Sequence, residues 1–451
     1  MSPIPKLQKR IDKLSAAIEA QEQLLQRLIA RRSEVQRELN YFSDPMARLP
    51  FELQSDIFMR CCIESDASTP GLDAPHLVLT AVSQLWRDVA LAPPRLWSDI
   101  QIVPYPHKLH SDYWKLCHLW LSRAQSLPVS LTIGGPLIPE QDMQDLVSLH
   151  SHRLANLTFS LMSDSYQTPI ATFSLNEGAR LSSLKCLAFK ADKPTDFGNL
   201  SQWLDVLRAA PILSSMKLDN TFFRMDPGGA SNPLTLPYLQ NLHLGKPFAW
   251  DLLRENGSTS LILQFLTLPA LKSLSISSFD LPYSEFLAFL SRSSPPLESL
   301  RLAIPRDWSS VTTVAQVLRL MPTLVTLNLS AVPRDDRIDR FFPFLDVLST
   351  SSDILPNLRE ITLRTDVPLT IDYELVLRMV TFRFSSCPTR LKSFRLTVPP
   401  VIPLGYGDIH SPARLPPDHV ISELEQLLKD GLQIDIGPGS WPDFSNSYYS
   451  M

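Results

Sequence analysis

Glycine is scarce in this chain: 14 glycines stand against 39 prolines in 451 residues. Phosphate and dinucleotide sites are built on glycine-rich turns. No phosphate loop, Gly-x-Gly-x-x-Gly, Gly-x-Ser-x-Gly, His-Glu-x-x-His or Cys-x-x-Cys pattern occurs. Cysteines are few and odd in number: Cys61, Cys62, Cys117, Cys186 and Cys387. They lack metal spacing and read as reduced thiols, which places the protein in the cytoplasm or nucleus. No run of 18 apolar residues appears and Met1 is not followed by an apolar signal core, so no membrane segment is expected. The Asn-x-Ser/Thr matches at Asn156, Asn199, Asn256 and Asn328 then read as chance. A net charge of −4 gives no reason to expect nucleic acid as a partner. His107 and His110 are three apart and could share a helix face, with His118 further on, but a zinc site needs three or four ligands with second-shell support, and His150-Ser-His152-Arg153 reads as a turn. No cofactor or metal is expected. Abundant proline predicts proline-initiated turns and few long helices after the first forty residues.

What is present falls into blocks. In residues 1–43 two series alternate at steps of four and three. They are Leu7, Leu14, Gln21, Leu28, Val35, Phe42 and Ile11, Ile18, Leu25, Arg32, Leu39; nine of these eleven are apolar. That is a heptad seam. Intervening Lys, Arg, Glu, Gln and Ala favour helix, giving about 36 residues and about 54 Å at 1.5 Å per residue. Such a helix needs a partner for its stripe. The spacing fits a parallel homodimeric coiled coil over residues 7–42, or a helix lying back on its own domain. Gln21 and Arg32 weaken the seam but can fix its register. Ser43-Asp44-Pro45 is a turn signal that closes the block.

Residues 44–100 form a small helical module. Pro50 suits a first helical turn, and Phe51, Leu53, Ile57 and Phe58 follow at helical spacing. A polar stretch, Ile63–Pro75, interrupts. Leu77 to Leu91 gives a second helical pattern, stopped by Ala92-Pro93-Pro94. Leu96 and Trp97 lead into an alternating run at Ile100, Ile102 and Val103. A unit of about 50 residues with so many large apolar groups is marginal alone and points to an interface; the bland alternative is a helical cap on the next domain.

The order Leu49-Pro50, Glu52-Leu53, Ile57-Phe58, Leu77, Val82, Trp86 and Leu96-Trp97 resembles the F-box of large fungal sets of F-box proteins. The resemblance covers about 50 residues and departs from the common pattern in the longer insert Ile63–Pro75. It implies docking on the SKP-type adaptor of a cullin (SCF) ubiquitin ligase. It places Leu49, Pro50, Leu53, Ile57, Phe58, Val82 and Trp86 at or beside the adaptor surface.

Residues 101–437 repeat a turn followed by L-x-x-L-x-L or a close variant. Instances are RLANLTF (153–159), LSSLKCLAF (181–189), PILSSMKL (211–218), LPYLQNLHL (236–244), LPALKSLSI (268–276), PPLESLRL (295–302), MPTLVTLNL (321–329), LPNLREITL (355–363) and RLKSFRL (390–396). GLQIDI (431–436) fits as a last member, and Trp114–Arg123 with PVSLTI (128–133) as an atypical first. Apolar helical segments intervene: 202–210, 283–290, 311–320, 372–382 and 421–428. Strand then helix in fixed order predicts an α/β solenoid, each unit burying its face on its neighbours. This region resembles the leucine-rich repeats that often follow an F-box, although the usual Asn/Cys position mostly carries Ser, Thr, Asp or Arg. A doubly wound sheet would show glycine-rich loops instead. Phe341-Phe342 reads as core, and the mixed-charge run Asp335–Arg340 as a solvated loop near a strand end. Residues 438–451 are a tail.

The whole predicts an α/β chain: a long helix, an F-box-like module and a leucine-rich-repeat-like solenoid binding an unidentified protein substrate. No covalent chemistry of its own is expected. A scaffold with the F-box-like fold that recruits no ligase, and an enzyme with a site hidden in the solenoid, remain the alternatives.

Overall fold

The computed structural model describes residues 4–64, 75–102, 111–135, 140–161, 178–224, 233–245, 259–277, 281–305, 308–331, 341–365, 372–398 and 416–438. The insert at 65–74, His107, His110, the run 335–340 and the tail from 439 lie outside them. The fold is mixed α/β, with a long N-terminal helix and a large parallel sheet. Two compact units divide it: Met1–Val103 with His110–Val129, and Pro104–Leu109 with Ser130–Met451.

In the first unit α1 (Ile4–Ser43) runs 40 residues. Its described side chains from Leu7 to Leu39 are all exposed, so the helix does not lie back on its own unit. Then come α2 (Phe51–Glu64), α3 (Pro75–Val82), α4 (Gln84–Leu91), the short strand β1 (Asp99–Ile102) and α5 (Ser111–Arg123). The single helix expected over 77–91 is two. Ser83 is extended (φ −153°, ψ 170°) and its hydroxyl accepts the Trp86 amide, capping α4. A serine that bonds the backbone in this way favours a helix start over a helix interior. Phe58, Val89, Ala90, Leu96, Trp97 and Trp120 form the interior. Trp97 Nε1 donates to the Ala90 carbonyl at 3.0 Å, and the Arg123 guanidinium sits 4.6 Å above the Trp97 ring. That stacking and the buried Cys117 and Leu121 tie α5 to this unit. The first compact unit therefore includes α5 and extends to Val129.

In the second unit the strands are β2 (Val129–Gly135), β3 (Leu154–Leu161), β4 (Cys186–Asn199), β5 (Ser215–Arg224), β6 (Leu234–Thr235), β7 (Asn241–Leu244), β8 (Leu266–Thr267), β9 (Ser273–Ile276), β10 (Ser299–Ala303), β11 (Thr326–Ala331), β12 (Glu360–Thr365), β13 (Ser393–Val398) and β14 (Gln433–Pro438). Its helices are α6 (Glu140–His150), α7 (Leu200–Arg208), α8 (Tyr283–Ser293), α9 (Val311–Arg319), α10 (Phe342–Thr350), α11 (Tyr373–Ser385) and α12 (Asp418–Lys429). Strands stand in chain order, β2-β3-β4-β5-β7-β9-β10-β11-β12-β13-β14. β6 and β8 pair apart from them. Residues 151–153 form a short 3-10 turn, as the His-Ser-His-Arg reading expects.

The repeated motif explains the register. Alternation sends every second residue inward, and parallel pairing aligns these residues into two apolar rows. One row is Leu157, Leu187, Met216, Leu242, Leu274, Leu300, Leu327, Ile361, Phe394, Ile434. The leucine that opens each motif is buried too: Leu213, Leu239, Leu271, Leu297, Leu324, Leu358 and Leu391 are all at most 1% exposed. Each such burial contributes about 1.5–3 kcal/mol. The residue just before each strand also links to its neighbour through the backbone. Gln240 N donates to Ser214 O, Lys272 N to Gln240 O, Glu298 N to Lys272 O, Val325 N to Glu298 O, Arg359 N to Val325 O and Lys392 N to Arg359 O, at 2.8–2.9 Å. Backbone amides therefore pair the turns that lead into the strands.

Arginines reinforce the helix layer. Arg383 on α11 is 1% exposed. It donates to the carbonyls of Leu348 (2.8 Å), Ile354 (2.8 Å) and Ser351 (3.0 Å), closing the C-terminal end of α10, where free carbonyls and the helix dipole favour a cation. Arg292 on α8 does the same for Leu263 (2.7 Å) and Leu266 (2.8 Å).

Candidate functional site

Two surfaces stand out. The first lies on the small helical unit. Helix α2 buries Gln54 and Phe58 and turns the opposite residues outward: Leu53 is 52% exposed and Ile57 38%. They are four residues apart and share a face. On α3, Val78 and Val82 are likewise four apart and about half exposed. Phe51 adds a further exposed ring at the start of α2. Large apolar side chains held outward on neighbouring packed helices are the signature of an interaction surface.

A polar clamp fixes the approach to this face. The Asp44 carboxylate accepts the Met46 amide at 2.8 Å through Oδ1 and the Trp86 indole N–H at 2.6 Å through Oδ2. Gln54, 5% exposed, donates through Nε2 to the carbonyls of Met46 (2.8 Å) and Leu49 (2.7 Å). Together they bind the turn at 45–48 to α2 and α4 and set Leu49 and Pro50 at the rim, half-buried and exposed. Of the residues the resemblance assigns to docking, Leu53, Ile57 and Val82 project outward. Trp86 is half-buried and held by its indole nitrogen. Phe58 is 1% exposed, with its ring 5.1 Å from that of Trp86, and packs behind this face. Sequence reading put Phe51 on the apolar helical face but outside the docking set, and missed Gln54 as a clamp. The signal for Gln54 was a lone amide on the inward side of an apolar helix.

The second surface is the polar face of the sheet, made by the residues between the inward leucines. Parallel register sets Lys217, His243, Ser275, Arg301, Asn328, Thr362, Arg395 and Asp435 in one row. A depression of about 270 Å³ lies over its first half, lined by Lys217, His243, Ser275, Arg301 and Asn328 among others. Asp219 bridges Lys217 (3.0 Å) and His243 (2.7 Å). Burial works to raise the Asp219 pKa, but its bonds and attraction to His243 and Lys217 outweigh it and hold the carboxyl below its ordinary value. Gly245 lies so close that a Cβ there would stand 2.2 Å from Asp219 Oδ1 and 2.9 Å from its Cα.

Ser275 stands beside His243 in the row, and its hydroxyl is buried with no hydrogen-bond partner. Burial, with Cys61 adjacent, pushes the Cys62 thiol up to about 11, leaving it protonated and a poor nucleophile. Among the described residues no three His, Cys, Asp or Glu side chains gather as a metal site, and no helix is long and apolar enough to cross a membrane. No protein-family model matches the chain, and no curated protein matches it.

Proposed function

We propose that this chain is the substrate-recognition subunit of an SCF-type ubiquitin ligase. The small unit docks, F-box-like, on the SKP-type adaptor, and the large sheet, read as a leucine-rich-repeat-like solenoid, holds a protein substrate. The observation that carries this reading is the outward apolar face of Leu53, Ile57, Val78 and Val82. Leu53, Ile57 and Val82, three residues of the F-box resemblance, stand exposed, and this supports the reading. The sheet supports the second half. Its polar row spans strands in constant register, a long display suited to an extended protein surface. Catalysis then belongs to the partner ligase, and this chain supplies proximity.

The test is capture of purified SKP adaptor by the full chain. Leu53→Asp and Ile57→Asp are each expected to weaken capture at least about tenfold, since an interface charge loses both burial and complementarity. The circular dichroism of Leu53→Asp should match the parent, because that side chain is half in water; Ile57, at 38% exposed, is the more covered of the two. A folded parent chain that retains no adaptor refutes the proposal and leaves the scaffold alternative.

A further inference from the structure

We propose that α1 pairs with α1 of a second copy in antiparallel orientation, centred between Gln26 and Arg27. The seam is in solvent: Leu7, Ile11, Leu14, Ile18, Leu25, Leu28, Val35 and Leu39 are 55–59% exposed. With steps of four and three, Ile11, Ile18, Leu25, Arg32 and Leu39 take the a positions of the heptad. Leu14, Gln21, Leu28, Val35 and Phe42 take the d positions. Leu24 and Ile29, 52% and 51% exposed, flank the central turns and widen the stripe there.

The two polar seam residues decide the orientation. A parallel pair stacks like on like, a on a and d on d. Gln21 would then face Gln21, and Arg32 would face Arg32 with Arg31 beside it on each helix. Two guanidinium groups in one layer repel. An antiparallel pair sets a against d. In the register centred at 26/27, Ile11 meets Phe42, Leu14 meets Leu39, Ile18 meets Val35 and Leu25 meets Leu28. Gln21 meets Arg32. Both polar positions are consumed by each other, as an amide oxygen accepting from a guanidinium, and every other layer is apolar on both sides. Shifting by one heptad breaks both matches, so the polar pair also locks the register. The overlap of residues 11–42 covers about 32 residues, or about 48 Å. Residues 43 of the two copies then lie about 50 Å apart, whereas a parallel pair would bring them side by side.

The full chain is tested by sedimentation equilibrium, comparing it with Gln21→Glu. The antiparallel register turns each contact between positions 21 and 32 into an ion pair, so the dimer dissociation constant should fall about tenfold. The parallel register would set the two introduced carboxylates against each other and raise it. A raised or unchanged constant, or a monomeric parent at all concentrations, overturns the proposal. A second measurement reads geometry directly. Gln21→Cys and Arg32→Cys chains, each also carrying Cys61→Ser and Cys62→Ser, are mixed and oxidised. A 21–32 disulfide in the peptide digest is the expected product, and a dominant 21–21 disulfide refutes it.

Discussion

Arg383→Met removes a charge that the α10–α11 contact buries on all sides. Its guanidinium makes short bonds to three carbonyls, two at 2.8 Å and one at 3.0 Å, and a longer one to Leu355 O at 3.4 Å. A bond from a charged donor contributes about 1.5–3 kcal/mol, so the gross loss is about 4–9 kcal/mol. Methionine fills much the same volume and removes a desolvation cost of several kcal/mol that the buried cation imposes. Burial indeed presses the Arg383 pKa down, though the guanidinium stays charged. The difference leaves a destabilisation of about 2–4 kcal/mol, arising from carbonyls at the end of α10 that lose their donor and stay buried. Arg383→Lys should fall between, since one ammonium cannot span three carbonyls set around a helix end. Arg378→Met is the control. Arg378 bonds Asp346 at 2.9 Å, but its side chain is 56% exposed, and its loss should cost under about 1 kcal/mol. Urea unfolding of the full chain, followed by circular dichroism and by protease cleavage between 340 and 400, measures all three. Equal midpoints for Arg383→Met and Arg378→Met would refute the argument that Arg383 closes the helix.

Other outcomes follow from the same physics. Gly245→Ala forces a methyl into the Asp219 backbone and should cost about 1–3 kcal/mol; an unaltered melting curve would mean that β5 and β7 separate freely there. Asp219 titrates below its ordinary value, so it binds protons less readily folded than unfolded. Its contribution is present above about pH 4 and is lost as pH falls further, and Asp219→Asn should flatten that part of the stability–pH curve. Ser294 closes α8 in the left-handed region (φ 40°, ψ 51°). Ser294→Val should be less stable than Ser294→Gly by about 1–2 kcal/mol in thermal unfolding, because a β-branched residue is strained there.

The strands were legible because their pattern has period two and ends on a turn: the tail of each motif from RLANLTF to GLQIDI lies on a strand. The helical segments at 202–210, 283–290, 311–320, 372–382 and 421–428 fall on α7, α8, α9, α11 and α12 for the same reason, a strong apolar face. Helix α10 was hidden by Pro343, which reads as a breaker but sits in the first turn, where a missing amide costs nothing. The break at Ser83 was hidden because apolar spacing continues across it, and only the cap hydrogen bond reveals the stop. On the outward apolar face Leu53, Ile57 and Val82 were legible as apolar residues at helical spacing. Phe58 was not separable from Ile57, since adjacent positions on one helix differ only in which way they turn. Gln54 and Arg383 act through carbonyls of other segments, and no local pattern encodes that.

Because each strand from β10 onward pairs only with the strands before and after it in the chain, the sheet has a property of length. Thr326 pairs with Ser299 on one side and Glu360 on the other. Excising 326–359 would bring Ser299 beside Glu360 with both leucine rows continuous, and duplicating the same stretch would extend them. Neither change rethreads the chain. Gene-level gain or loss of one such stretch can lengthen or shorten the polar face by one rung while leaving the fold's ends intact, so reach can drift between related chains faster than architecture.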